Sequence, residues 1–240
     1  MRAGYNDALQ QADSVMADET QVIAVIGGTG ELGGAIARRL ALAGQRVVIG
    51  SRDPAKALAA AEALAREAGC QVGSGSNADA AYTAQIVIVT VPFASQEATL
   101  RDIAPSVVGK IVVDTTVPLV PPKVMRVQLP PEGSAAVRAQ NILGQGVRVT
   151  SAFHNVAAHK LATDATVECD VLVFGDEKAA REVVLGLVGL CGLRGLHAGA
   201  LANSAAAEAL TSVLIFLNKT YAVDGAGVRI TGELKLPSAG

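Results

Sequence analysis

Gly28, Gly30 and Gly33, in the run Gly28-Thr29-Gly30-Glu31-Leu32-Gly33, follow the apolar segment Gln21-Val22-Ile23-Ala24-Val25-Ile26-Gly27 and precede a helical pattern. A G-x-G-x-x-G in that setting can cradle a pyrophosphate, with the free N–H groups at the start of the helix facing the phosphates. Gly28 is expected to make the tight turn, Gly30 to admit the pyrophosphate and Gly33 to let the helix lie close to the strand. Thr29 offers a backbone N–H and a hydroxyl to a phosphate. A plain glycine turn of an α/β protein is the competing reading, and the strand before and the helix after argue against it.

The next apolar run, Arg46-Val47-Val48-Ile49, ends in Gly50-Ser51-Arg52. An NAD site usually places Asp or Glu here to bind the ribose 2′-hydroxyl. A hydroxyl and a guanidinium suit a 2′-phosphate instead, the guanidinium as a charge-assisted partner. Asp53 is acidic and adjacent, but Asp53-Pro54-Ala55-Lys56 reads as a helix start with Asp53 as N-cap and Pro54 at the first helical position. Its oxygens are then taken by backbone N–H groups, so the pattern favours NADP over NAD. Lys56 is either a second cation for the phosphate or a solvated surface lysine.

The elements that hold these residues alternate between strand and helix. Leu32, Ile36, Leu40 and Ala43 share one face of the helix that Gly44 ends. A helix over Ala55–Ala68 stops at Gly69, followed by a weak strand at Cys70–Gly73, a turn at Ser74–Asn77 and a short helix at Ala78–Ala84. Gln85–Val91 is a buried-type strand closed by Pro92-Phe93, with a helix from Glu97 to Ile103. Lys110–Asp114 is a further strand. A Pro-rich connection leads to Ser134, which caps a helix over Ala135–Leu143, and Val147–Thr150 is the sixth strand. This alternation predicts a doubly wound parallel sheet with a smaller, mainly helical C-terminal part. The ligand crevice lies at the carboxyl ends of the strands. Val91, Pro92, Phe93, Pro118, Ser151, His154 and Asn155 should therefore converge beside the glycine turn. Beyond it, Asp170–Phe174 is strand-like, Asp176–Leu190 an amphipathic helix, Leu193–Leu196 a short strand and Asn203–Thr220 a second helix. The expected division is an extension over 1–20, a nucleotide-binding domain over 21–155 and a smaller domain over 156–240, with a peripheral tail from Val228.

Composition narrows the class. Half of the 240 residues are hydrophobic, which supplies a sizeable core, and a net charge of −2 gives no sign of a nucleic-acid patch. Cys70, Cys169 and Cys191 lack C-x-x-C spacing and read as reduced thiols of a cytoplasmic protein. No H-E-x-x-H, nucleophile elbow or clustered Cys and His suggests a metal or a nucleophile. Residues 1–20 carry four acidic residues and no apolar stretch, unlike a signal peptide. No apolar run reads as long enough to cross a membrane. The apolar helix around Leu210, Val213, Leu214 and Leu217 offers more hydrophobic face than a small domain buries alone, which predicts a homodimer.

At these loops the sequence resembles the NADP-dependent reductases of coenzyme F420, a deazaflavin. The resemblance runs through Ile26–Gly33, Gly50-Ser51-Arg52-Asp53, Thr90-Val91-Pro92-Phe93, Val112–Pro118 and Ser134-Ala135-Ala136. It continues through Ser151-Ala152-Phe153-His154-Asn155, Asp170–Gly175, Ala198–Ser204 and Glu208-Ala209-Leu210-Thr211, covering roughly residues 21 to 220. Phe93 stands where the family often has Trp, and Asn155 where Thr is common. The extension before the first strand and the tail after Tyr221 are unlike its compact members.

The resemblance implies hydride transfer between NADPH and the deazaflavin, with neither nucleophile nor metal. His154 then either donates to a carbonyl of the nicotinamide or deazaflavin, buffers charge, or simply fixes its loop. Ser151 and Asn155 are ligand donors or turn formers. Phe93 and Pro118 are apolar walls, or core residues that end strands. His159 and His197 read as structural or exposed. Two other functions fit the nucleotide domain. One is an NADPH-dependent reductase of a small imine, keto acid or metal chelate, with Lys160 as the nearest proton donor. The other is an NADP-binding sensor without turnover.

Overall fold

The computed structural model describes residues 21–234, so the expected extension over 1–20 lies outside the described residues. Eight strands form one sheet in the order β3-β2-β1-β4-β5-β6-β7-β8. They are β1 (Val22–Ile26), β2 (Arg46–Ser51), β3 (Gly73–Ser76), β4 (Ile86–Val89), β5 (Ile111–Asp114), β6 (Arg148–Ser151), β7 (Asp170–Gly175) and β8 (Arg194–His197). The first six are parallel, with β1 between β2 and β4, so the chain reverses direction across the sheet at β1. This is the doubly wound order, whose crevice opens at the carboxyl ends of β1 and β4. The helices are α1 (Glu31–Leu42), α2 (Pro54–Ala68), α3 (Asn77–Thr83), α4 (Phe93–Ile103), α5 (Ala135–Leu143), α6 (Ala158–Leu161), α7 (Lys178–Leu190) and α8 (Ser204–Tyr221).

The central strands are apolar on both faces because helices cover both. Ile23, Val25, Ile86, Ile88 and Val113 meet α1 and α7 on one side. Ala24, Ile26, Val87, Val89 and Val112 meet α3, α4 and α5 on the other. Burial on both faces explains the uninterrupted Val/Ile runs.

The strands of the C-terminal part extend this sheet. β7 pairs antiparallel with β6 through Thr150↔Gly175 and Ser151↔Phe174, and β8 runs parallel to β7. Two consecutive arginines of α1 hold this part. Arg38 bridges Glu67 of α2 at 2.6 Å and Asp164 of the C-terminal part at 2.8 Å. Arg39 donates to the carbonyls of Leu161, Thr163 and Ala165 at 2.9, 2.6 and 2.8 Å.

Several expectations shift. The third strand is Gly73–Ser76, not Cys70–Gly73. It is a Gly/Ser strand with no apolar signature, held by its parallel pairing with β2. α3 starts at Asn77 because Ser76 caps it, accepting from the Asp79 N–H. β4 ends at Val89, and α4 begins at Phe93, straight after Pro92. The described part of the tail lies at the surface and is tied down there as far as Ile230. Val228 O accepts from Asp170 N at 2.7 Å and Ile230 N donates to Asp170 Oδ2 at 2.6 Å.

The expectation about membrane-spanning length also needs correction. Leu201–Tyr221, 21 residues containing an 18-residue window with a mean hydropathy of 1.3, is long and apolar enough to cross a membrane by length and composition. The alanines before Leu210 lengthen the apolar stretch. One third of that window, 33%, is buried inside the fold, and Glu208 within the segment is hydrogen-bonded to α5.

Candidate active site

The glycine turn joins β1 to α1. The left-handed residue is Gly27, at φ +78°, and not Gly28. Two adjacent glycines leave the position of the turn open in the sequence, and the backbone places it one residue earlier. Gly28 is required for a different reason: a Cβ there would stand 2.9 Å from the carbonyl of Val25 and 3.0 Å from Ile49. At Gly33 a Cβ would collide with Thr90 Oγ1 and lie 2.6 Å from the carbonyl of Gly27. The close approach of helix to strand expected of Gly33 is thus present. Thr90 completes the turn, donating its N–H and its hydroxyl to the carbonyl of Ile26 at 2.9 and 2.8 Å.

Gly30 is the N-cap of α1 and supplies no side-chain hydrogen bond. The first N–H groups of the helix, on Glu31, Leu32 and Gly33, are left for a ligand by helix geometry. Thr29, Gly30 and Glu31 are exposed at the mouth of the turn. A cradle that a Cβ would fill and an uncapped helix start fit a pyrophosphate.

β2 runs alongside, and its Gly50 carbonyl accepts from Gly27 N at 3.0 Å and Gly28 N at 3.3 Å. Ser51 is buried, with its hydroxyl accepting from Asp53 N at 3.2 Å. The Asp53 carboxylate accepts from Ala55 N and Lys56 N at 3.1 and 3.3 Å. It is the N-cap of α2, with Pro54 directly after it. Arg52 is exposed and makes no ion pair among the described residues, while Lys56 lies 3.9 Å from Asp53. Ser51, Arg52 and Lys56 thus lie together at the carboxyl end of β2 and the start of α2.

The other strand ends bring the second group of residues to the same edge of the sheet. Val91 and Pro92 follow β4, and Phe93 opens α4 with its ring 5.0 Å from the Arg138 guanidinium. Arg138 is in turn held by Glu97 at 2.5 Å. After β5, Thr116 is buried, with its N–H on Asp114 Oδ1 at 3.0 Å, and Pro118 is buried beyond it.

The loop after β6 is tightly determined. Phe153 adopts φ +64°, which is uncommon for a residue with a side chain. The turn sends the Phe153 ring into the core and leaves His154 beside Ser151. Ser151 Oγ and His154 Nε2 share a hydrogen bond of 2.7 Å. Burial lowers the His154 pKa to about 4, so the imidazole is neutral at physiological pH. A neutral ring can hydrogen-bond a carbonyl but does not carry charge. Asn155 Nδ2 donates to Ala207 O at 2.9 Å and Thr211 Oγ1 at 3.0 Å, which fastens the loop to α8. A cavity of about 170 Å³ lies between this loop, α8 and residues 225–226. Lys160 pairs with the exposed Asp224 at 3.7 Å. A larger cavity of about 540 Å³ sits at the opposite end of the sheet, by Val22, Arg46 and Gly73.

Beneath the crevice lies a polar chain that the sequence reading did not single out. Gln96 Nε2 donates to Asp114 Oδ2 at 2.5 Å and to Ala135 O at 3.0 Å. Ala135 N and Ala136 N donate to the Glu208 carboxylate at 2.6 and 3.1 Å. Both carboxyls are buried, and burial raises Asp114 to about 6 and Glu208 to about 7. This chain links β5, α4, α5 and α8 under the site. Its one sequence signal is an acid inside an apolar helix, Ala207-Glu208-Ala209-Leu210.

Comparison with known proteins places the whole arrangement. The family model described as "NADP oxidoreductase coenzyme F420-dependent" matches residues 22–118, which carry the glycine turn and Arg52. The F420-dependent NADP reductase of Methanothermobacter marburgensis is 40% identical over 219 residues, covering 87% of this chain and 97% of that protein. That of Methanocaldococcus jannaschii is 39% identical over 220 residues, with the same coverage of 87% and 97%. A crystal structure of an Arthrobacter sp. FB24 protein superposes with a TM-score of 0.75 at 27% identity, covering 88% of this chain and 99% of the other. An imine reductase of Bacillus cereus BAG3X2, at 16% identity and a TM-score of 0.59 over 84% of this chain and 62% of its own, shares the fold alone. With relatives about 40% identical over 87% of its length, this chain belongs to the coenzyme F420-dependent NADP oxidoreductase family.

Proposed function

We propose that the protein transfers a hydride between NADP(H) and the deazaflavin coenzyme F420, as an NADP-dependent oxidoreductase. The observation that carries this reading is the continuity of the match. Relatives named F420-dependent NADP reductase align with 87% of the chain and 97% of their own length, well beyond the residues 22–118 of the family model. Both substrates are hydride carriers, so the chain has to bind, orient and exclude water rather than supply a nucleophile.

Residues 21–155 act as the nucleotide-binding domain. Gly28, Thr29, Gly30, Glu31, Leu32 and Gly33 hold the pyrophosphate by backbone, and Ser51, Arg52 and Lys56 hold the 2′-phosphate. Residues 156–240 act as a smaller domain that completes the site of the second substrate. Val91, Pro92, Phe93 and Pro118 are its apolar walls, and Ser151, His154 and Asn155 its polar side. The neutral imidazole of His154 suits a hydrogen bond to a ring carbonyl. The capped carboxylate of Asp53 supports NADP over NAD. The exposed pairing of Lys160 with Asp224 speaks against a buried lysine acid for imine reduction.

The protein works in the cytoplasm as a homodimer on these soluble cofactors, with neither nucleic acid nor membrane as partner. Support for the dimer comes from α8, where Val213 and Phe216 are 42% and 49% exposed while Leu214 is buried in the chain's own core. A light-scattering mass of one chain at micromolar concentration overturns the dimer. Adding NADPH and catalytic protein to oxidised coenzyme F420 should bleach its visible absorbance. Intact NADPH binding without bleaching overturns the hydride transfer.

A further inference from the structure

β3 ends at Ser76, in register with Ser51 of β2, and Asn77 follows as the first residue of α3. Asn77 is 3% exposed, and its Oδ1 is buried with no hydrogen-bond partner among the described residues. A Cβ on Gly50 would stand 3.3 Å from that oxygen. The Gly50 carbonyl, in turn, accepts the N–H groups of Gly27 and Gly28. The carboxamide is therefore one residue removed from the phosphate turn, at the strand ends that carry Ser51 and Arg52.

A buried acceptor without a donor destabilises a fold and is rare in native proteins. An apolar side chain of the same size would fill the space without that cost. The other buried side-chain polar atoms without a partner among the described residues, on Arg38, Gln96 and Ser204, lie on α1, α4 and α8 rather than at the ends of β2 and β3.

We propose that Asn77 is a nucleotide-binding residue that contacts the adenosine end of NADP(H), its carboxamide pairing with a polar group of the adenosine. The assignment rests on the NADP reading given above. It adds a contact from the start of α3, just past the third strand, to the two proposed at the ends of β1 and β2.

The test uses the full chain and two variants of near-equal size, Asn77→Leu and Asn77→Asp. Titrations measure the affinity for NADPH, NADH and adenosine 2′,5′-bisphosphate, and thermal unfolding is followed without ligand. Asn77→Leu should bind all three about tenfold more weakly, with an unchanged or higher Tm and, in the coupled assay, a raised KM for NADPH at unchanged kcat. Asn77→Asp should lose more affinity for NADPH than for NADH, because its carboxylate faces a phosphorylated ribose. If Asn77→Leu binds NADPH like the wild type, or loses stability together with binding, the assignment is overturned. Wild-type protein that fails to bind adenosine 2′,5′-bisphosphate overturns the NADP reading and this one with it. Wild-type binding with unaffected variants overturns the role of Asn77 alone.

Discussion

The carboxyl of Glu208 gives a quantitative handle on the buried polar chain. It is 1% exposed and accepts two backbone N–H groups at the start of α5. Burial raises its pKa from an ordinary 4.5 to about 7; the N–H groups of Ala135 and Ala136 pull it down, and Asp114 pushes it up again. That displacement corresponds to about 3 kcal/mol of difference between its protonation states. Between these two pH values the folded protein keeps a proton that the unfolded chain has released. The stabilisation from the protonated group is therefore fully present below about 4.5 and lost as pH rises through about 7. A glutamine has no proton to lose. Any stability advantage of the wild type over Glu208→Gln should shrink by most of about 3 kcal/mol between pH 5 and pH 8. Urea unfolding followed by circular dichroism, at one protein concentration and several pH values, measures this difference directly. His154 and Asp114 titrate in both proteins and largely cancel from it. A gap that stays constant to within about 0.5 kcal/mol, the precision of such comparisons, refutes the argument.

Arg52→Ala should weaken NADPH binding by about 1.5–3 kcal/mol and leave NADH nearly unchanged, the range for a hydrogen bond to a charged group; fluorescence titrations showing equal losses would remove the 2′-phosphate role. Gly33→Ala places a methyl group against Thr90 Oγ1 and 2.6 Å from the Gly27 carbonyl. It should cost about 1–3 kcal/mol in denaturant unfolding and abolish tight NADPH binding, and wild-type affinity would show that the cradle is not set by this contact. Because His154 is held at about 4, kcat should show no inflection near pH 6.5 that disappears in His154→Asn. Such an inflection would mean that the ring titrates in the working complex.

The parts of this molecule legible in the sequence are those whose causes are local. Asp53 caps its helix as the residues Asp53-Pro54 imply, and the Val/Ile runs of β1, β4 and β5 are buried as their composition implies. β3 was displaced by three residues because Gly73-Ser74-Gly75-Ser76 carries no β-branched residue; its pairing with β2, not its own propensity, makes it a strand. The turn itself was located, but its left-handed residue was not, since Gly27 and Gly28 are chemically identical neighbours. The convergence of Ser151, His154 and Asn155 was visible as a strand end. Their actual partners were not: Ala207 and Thr211 lie more than fifty residues away, and only the tertiary fold brings them near. Glu208 was readable as an acid out of place in an apolar helix, yet its target, the start of α5, was not.

The two arginines of α1 bear on how freely this architecture can be recombined. Arg38 and Arg39 grip the 161–165 loop from the far end of the helix that the glycine turn opens. Three of the five bonds that side chains in these two positions make end on main-chain carbonyls, so the grip depends on the loop's path more than on its residues. Loop sequence can drift while the path is kept. A nucleotide half transplanted from another dehydrogenase, by contrast, would arrive without the clamp and leave three carbonyls unanswered at the seam. The helix that follows the glycine turn is thus also the hinge pin of the chimera, and exchange of one half requires the matching arginine pair to travel with it.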